Sequence, residues 1–414
     1  MEKQNNIPKL RFSEFSDGWE VKKLGEVSDL ITKGTTPSKF VSHGVKFIKL
    51  ECFDENTINA DKCLFIEEET HNKELKRSIL QENDLLFAIA GATIGKVNFV
   101  KKDILPANTN QALSIVRLKK EENRNFIFQI LKSKKMQKYI KDSISVGAQP
   151  NLNLEQMNNF SFAYPTFSEQ QKIATFLSNV DEKLQALKKK KSLLETYKKG
   201  VMQKLFSQEI CFKDDEGNDF EDWEMKKLGE ITREIKRDLK SKRDLSELEV
   251  LTISSDKGFI SQKERFSQII AGNSISKYTL LCTGEMSYNK GASKRFKYGC
   301  FYTLNLYKEA LVPNVYISFS FKKEFLSNFY FYLFSTKYAD SQLRQFISSS
   351  VRLDGLLNIN RDDFFSIKVP IPCLAEQTKI ANFLTAIDEK INKVDSQIKQ
   401  TELWKKGLLQ QMFV

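Results

Sequence analysis

The chain reads as an α+β protein built twice from one unit, a globular domain followed by a long helix. Three observations carry that reading. The segment from Glu169, EQQKIATFLSNVDEKLQALKKKKSLLETYKKGVMQKLF, returns from Glu376 as EQTKIANFLTAIDEKINKVDSQIKQTELWKKGLLQQMF with no gap. The octapeptide WEVKKLGE from Trp19 recurs as WEMKKLGE from Trp223. Between these landmarks lie short runs of β-branched and aromatic residues separated by glycine turns, the pattern of strands rather than helices. A repeat of roughly 200 residues is far longer than the units of solenoids and propellers, so each copy has length enough to fold as a domain.

In chain order, VKFIKL (45–50), DLLFAIA (84–90) and ALSIVRL (112–118) predict strands in the first copy. LEVLTIS (248–254) and NVYISFSF (314–321) do so in the second. Gly34, Gly44, Gly91, Gly95, Gly272, Gly284 and Gly291 mark turns between strands. Residues 123–143 and 324–348 have helical spacing and correspond between the copies. Elsewhere the middles share only scattered positions, such as Gly91 with Gly291, Asn153 with Asn358 and Pro165 with Pro370.

From Ile173 apolar residues recur at alternating steps of four and three, which places Ile173, Val180, Leu187, Leu194 and Val201 at the a positions of a heptad seam. Leu177 and Leu184 fill the second seam position four residues on, and Ile380, Leu384, Ile387, Ile391, Val394 and Ile398 repeat the register. Each copy therefore predicts a helix of roughly 35 residues, or about 50 Å. Ser168 with Gln171 predicts a capping-box start, and Pro165 keeps the preceding chain extended. Ile173, Leu177, Val180, Leu184 and Leu187, with Ile380, Leu384, Ile387, Ile391 and Val394, are the candidate helix-packing and partner-docking residues. Lys191 and Lys198 interrupt the second seam position. They are read as lysines snorkelling from a solvated face, with an acidic partner or DNA backbone as the alternative.

The balance of 65 Lys and Arg against 53 Asp and Glu, a net charge of +12, favours a polyanionic partner. The six cysteines contain no C-x-x-C and the start MEKQNN has no signal-peptide core, so a cytoplasmic location is expected. The most apolar run, Leu85 to Val100, is broken by Gly91, Gly95 and Lys96 and cannot cross a bilayer. With His43 and His71 the only histidines, neither a zinc site nor a histidine-based triad is expected. Gly91-Ala-Thr-Ile-Gly95-Lys96 spaces its glycines by three residues where a phosphate loop needs four. The Glu20-x-Lys22 and Glu224-x-Lys226 pairs lack the Pro-Asp partner of a nuclease and fit opening strands. No catalytic and no metal-binding residue is therefore expected.

Polar and basic turns remain, and they suit DNA. Lys290, Lys294, Arg295 and Lys297 share one glycine-containing turn with Tyr288 and Phe296, and can donate to guanine edges or phosphates. Lys96 stands on the matching turn of the first copy. A second matched pair of loops, 146–151 and 348–355, carries Gln149, suited to adenine, Asn151, and Arg352, suited to guanine.

With those residues in view, the whole chain resembles the specificity subunits of type I restriction-modification systems. The resemblance rests on the opening motif FSDGWEVKKLGEV, the LNLEQM…YPTFSEQQKIATFL junction, the long helix, and the repetition of that series. It implies two target-recognition domains in pseudo-twofold repeat, separated by two long antiparallel coiled-coil helices that act as a ruler. On this reading residues 1–165 and 209–370 are the recognition domains, and residues 166–208 and 371–414 the helices. The implied partners are double-stranded DNA, read as an asymmetric bipartite site, two methyltransferase subunits, and restriction subunits that translocate and cut. S-adenosylmethionine, ATP and magnesium are then expected on those partners and no cofactor on this chain. The alternatives are a stand-alone DNA-binding regulator or scaffold, whose helices would need no partner, and an autonomous nuclease or methyltransferase.

Overall fold

A computed structural model describes residues 7–54, 57–91, 93–143, 151–236, 247–254, 257–266, 277–291, 296–346 and 357–414. It divides into two compact units, residues 1–189 with 396–414 and residues 190–395. The first unit runs through β1 (Glu20–Lys23), β2 (Ser28–Lys33), β3 (Val45–Ile48), β4 (Leu64–Ile66), β5 (Leu85–Ala88), β6 (Val97–Phe99), β7 (Ala107–Thr109) and β8 (Leu113–Leu118). Helices α1 (Arg124–Lys132), α2 (Lys134–Ser143) and α3 (Leu154–Asn158), strand β9 (Ser161–Tyr164) and the first part of α4 (Phe167–Phe206) follow.

The second unit takes the rest of α4, then β10 (Glu224–Lys227), α5 (Leu228–Ile231), β11 (Thr232–Glu234), β12 (Glu249–Ser254), β13 (Gly258–Ser261) and α6 (Gln262–Phe266). It continues through β14 (Thr279–Cys282), β15 (Met286–Asn289), β16 (Cys300–Thr303), β17 (Glu309–Val312) and β18 (Ile317–Phe321). It closes with α7 (Ser327–Ser335), α8 (Asp340–Phe346), α9 (Arg361–Phe365), β19 (Lys368–Ile371) and most of α10 (Leu374–Gln411).

Among the described residues, the first unit forms an antiparallel sheet in the order β2-β8-β5-β6 and a second sheet β4-β3-β7, in which β3 and β7 are parallel. The second unit repeats both orders as β11-β18-β15-β16 and β13-β12-β17, again with a parallel β12–β17 pair, and adds β14 beyond β17. The apolar run DLLFAIA is explained by burial on both faces of β5. Leu85 and Phe87 enter the core shared with α1 and α4, while Leu86 and Ala88 enter a second core with Ile48 and Ala107. The five predicted strands all form.

The constant motifs clamp one another. In the first unit the Trp19 indole N–H donates to Glu169 (3.2 Å) and the Gln170 amide to the Pro165 carbonyl (2.9 Å). In the second, Trp223 donates to Glu376 (2.8 Å) and Gln377 to Pro372 (2.9 Å). Glu20–Lys23 and Glu224–Lys227 are edge strands paired with β9 and β19, as expected of opening strands. Just after them the Glu26 and Glu230 carboxylates accept from the Lys23 and Lys227 backbone N–H, closing matched turns. The clamp corrects one sequence match. The counterpart of Pro165 is Pro372, since both accept the same glutamine bond, whereas Pro370 lies within β19 opposite Met225.

The long helices span 40 and 38 residues, about 60 and 57 Å and longer than the repeat implied. The first starts at Phe167, where the Gln170 N–H already bonds the Thr166 carbonyl, so Ser168 sits inside the first turn rather than capping it. The predicted helix over 123–143 is broken at Ser133, which has extended backbone and whose hydroxyl accepts from the Met136 N–H to start α2. The 324–348 stretch likewise divides into α7 and α8.

Candidate nucleic-acid interface

In each unit the segment that follows the second candidate loop is bonded to the end of the strand that leads into the first candidate turn. In the first, the β5–β6 turn is closed by bonds from Ala88 N–H to the Lys96 carbonyl (2.8 Å) and from Gly95 N–H to the Ala88 carbonyl (3.0 Å). Gly91 and Gly95 hold φ of +87° and +93°, the left-handed conformation that glycine adopts without strain. The segment after the second loop lies against this hairpin, with Leu152 N–H on the Ile89 carbonyl (2.9 Å) and Asn151 bridged to Ala90. Lys96 and Asn151 are both exposed at that junction. Gln149 lies outside the described residues.

The second unit builds the same junction with different residues. Asn289 at the end of β15 accepts from the Gly291 N–H (2.9 Å), and Leu357 N–H bonds the Lys290 carbonyl (2.9 Å). Lys290 is half-buried, and Lys297 is exposed with its ammonium 5.7 Å from the Tyr298 ring. Lys294, Arg295 and Arg352 lie outside the described residues. Tyr288 is fully buried among Phe301 and Phe364, its hydroxyl donates to the Tyr298 carbonyl (2.6 Å), and burial pushes that hydroxyl up from its ordinary pKa. It ties the end of β15 to the segment before β16 and, being buried, is no stacking platform for a base. Phe296 packs partly buried against the neighbouring core.

Sequence reading assigned α2 no role, yet this helix is joined to the first hairpin. The Gln137 side-chain amide donates to the carbonyls of Gly95 (3.0 Å) and Leu131 (2.7 Å). The turn, Phe53, Asp54, Asn98, Lys132 and Gln137 line a cleft of about 600 Å³. Lys134, Lys135, Lys138 and Lys141 are exposed on the helix. The spacing of lysines in KSKKMQKYIK was the available clue, hidden in a chain with many lysines.

The helix seams are real but uneven. Ile173, Leu177, Val180, Leu184, Ile380, Leu384, Ile387 and Val394 are buried, whereas Leu187 and Ile391 are half-buried. Lys191 and Lys198 do not snorkel from a free face. They reach across to α10, Lys191 to Asp395 (2.5 Å) and Lys198 to Asp388 (2.6 Å), and hydrogen bonding to Asp395 raises the Lys191 pKa. In the first unit Lys188 pairs with Glu402 (2.8 Å), and Lys405 pairs with Asp181. Within each unit these pairs run α4 and α10 antiparallel.

Residues 16–196 and 220–401 each match the family model described as the type I restriction modification DNA specificity domain. The chain is 25% identical to the MjaVIII specificity subunit of Methanocaldococcus jannaschii, covering 98% of this chain and 95% of that protein. It is 30% identical to the HindI specificity subunit of Haemophilus influenzae over 36% of this chain and 32% of that protein. Its fold is similar to that of the type I restriction-modification S subunit from M. genitalium, with a TM-score of 0.59, 17% identity and 99% of each chain covered. With two copies of the model spanning most of its length, the chain belongs to the type I restriction-modification DNA specificity family.

Proposed function

We propose that this chain is the DNA-reading subunit of a type I restriction-modification complex, that each unit reads one half of an asymmetric bipartite duplex site, and that the chain has no catalysis of its own. The carrying observation is that one strand order is built twice and each time seats the segment after the second candidate loop against the end of β5 or β15, while the turn sequences that follow those strands differ. Different turns imply different half-sites. Docking of methyltransferase subunits, two per chain, is supported by apolar side chains left in water on the helices: Leu403 and Trp404 (72% and 48% exposed) in the first unit, Leu193 and Tyr197 (59% and 53%) in the second. The same exposure argues against a stand-alone regulator, which would cover them. S-adenosylmethionine, ATP and magnesium belong to the partner subunits, and the complex works in the cytoplasm. Among the described residues no helix is long and apolar enough to cross a membrane.

The test exchanges residues 30–160 for the matching region of a relative and reads the methylated sites across a host genome. One half-site is expected to change while the other is kept. If both change together, the units do not read independently and the proposal fails. Methyl transfer by the purified chain without partners would overturn its non-catalytic standing.

A further inference from the structure

We infer that α2 grips the phosphate backbone beside the first half-site and that Gln137 fixes the base-reading hairpin in register with that grip. The inference rests on the DNA-reading role of the first unit and adds to it a backbone surface and a positioning residue.

Lys134, Lys138 and Lys141 follow the i, i+4, i+7 spacing of a single helical face, and all are exposed. Among the described residues none of the three has an acidic partner within ion-pair distance, although Asp142 is a chain neighbour of Lys141. The lysines that face the other long helix behave differently, since Lys188, Lys191, Lys198 and Lys405 are each matched by a carboxylate on it. A solvated charge run needs no particular neighbour, but this one adjoins the candidate hairpin. Seven helical rises separate Lys134 from Lys141 by about 10 Å, and duplex DNA carries one phosphate per roughly 3.4 Å of axis on each strand, so each of the three flexible lysines can reach a phosphate of its own.

Gln137 lies in the same helix and ties it to the hairpin. One amide group bonds the Gly95 carbonyl (3.0 Å), next to Lys96, and the Leu131 carbonyl (2.7 Å) at the end of α1. A Cβ on Gly95 would meet the Gln137 Oε1 at 2.7 Å, so the glutamine is seated against the bare glycine. Phosphate contacts set register and base contacts set sequence, and a rigid link between them makes the register count. The corresponding helix of the second unit, DSQLRQF, carries one arginine and no lysine, so the grip is a property of the first unit.

The experiment uses the complex of this chain with its methyltransferase subunits. Three duplexes are compared across a series of potassium chloride concentrations: the cognate site, one altered in the first half-site, and one altered in the second. The variant K134Q/K138Q/K141Q should lower the slope of log affinity against log salt by about 2.7, at roughly 0.9 per phosphate released, and leave discrimination at both half-sites intact. The control K76Q/K101Q/K102Q removes the same charge from other exposed positions and should leave the slope near wild type. Q137A and Q137L, which remove the amide donor without adding charge, should keep the slope, reduce discrimination at the first half-site about tenfold or more, and leave the second unchanged. An unchanged slope in the α2 variant, or an equal fall in the control, overturns the grip. Equal loss at both half-sites in the Gln137 variants overturns the positioning role. If wild type does not discriminate the first half-site at all, the underlying DNA-reading assignment is what fails. Loss of methyltransferase binding by the α2 variant with DNA affinity intact would reassign the face to a protein partner and refute the inference.

Discussion

The two units reach one strand order from middles that share little sequence, yet they treat the same buried glutamate differently. In the first, Glu169 receives Trp19 and also a two-bond fork from Arg11, at 2.8 Å to each oxygen. In the second, Glu376 receives Trp223 (2.8 Å), and among the described residues no arginine is bonded to it. Burial therefore raises the Glu376 pKa, with Trp223 opposing the shift. The position 204 residues after Arg11 is Asp215, which instead receives Lys379 from the start of α10 (2.7 Å). What the duplication preserves is the clamp between motifs. The charge around it and the side chains at the loop tips are free to diverge.

The most damaging way to probe the shared framework is to empty its seams. Leu177 and Leu384 are both fully buried and 207 positions apart, so Leu177→Ala and Leu384→Ala should each cost about 2–5 kcal/mol in denaturant unfolding. A cost in only one unit would show that the helices are not packed alike. Arg11→Ala comes next, at about 3 kcal/mol, because it leaves a buried carboxylate without its cation. Glu376→Gln should cost under about 1 kcal/mol, since the amide oxygen still accepts from Trp223. Equal losses for these two variants would erase the contrast between the clamps.

The pH dependence separates the units further. Between the ordinary glutamate pKa and the raised value of Glu376, the folded chain binds more protons than the unfolded chain. Stability from this group is therefore complete below the ordinary value and falls as pH rises through that window. Glu376→Gln should flatten this part of the profile, measured as unfolding free energy against pH. A profile identical to wild type would place the carboxyl in water. The smallest effect is expected between the helices of the second unit. Lys191→Gln and Lys198→Gln break half-exposed ion pairs worth about 1 kcal/mol or less each, and the loss should shrink as salt is added.

Much of this was legible in the residues. Strands appear as runs with period two or with both faces apolar, the long helices as a heptad, and the duplication as repeated letters, because each of those patterns is local. The WE-x-KKLGE and EQ-x-KIA motifs stood out for the same reason. That Trp19 would meet Glu169, or Gln137 would sit on Gly95, could not be read from spacing, since residues 150 or 42 positions apart are brought together only by the packed sheets. The break at Ser133 was hidden by apolar spacing that continues across it, and only a buried hydroxyl capping the next turn reveals it.

By itself, then, the sequence determined two α+β units, their constant framework, the long helices and a chain suited to a polyanion, since periodicity, repetition and net charge are written along the backbone. Tertiary structure alone decided that Tyr288 is buried instead of offering a stacking face, that Lys191 and Lys198 are matched by carboxylates, and that a lysine-bearing helix is bonded to the candidate hairpin of the first unit. The physical reason is common to all three. Burial and charge pairing depend on which distant segment arrives at a side chain, and in this chain those partners come from elements up to 224 residues away.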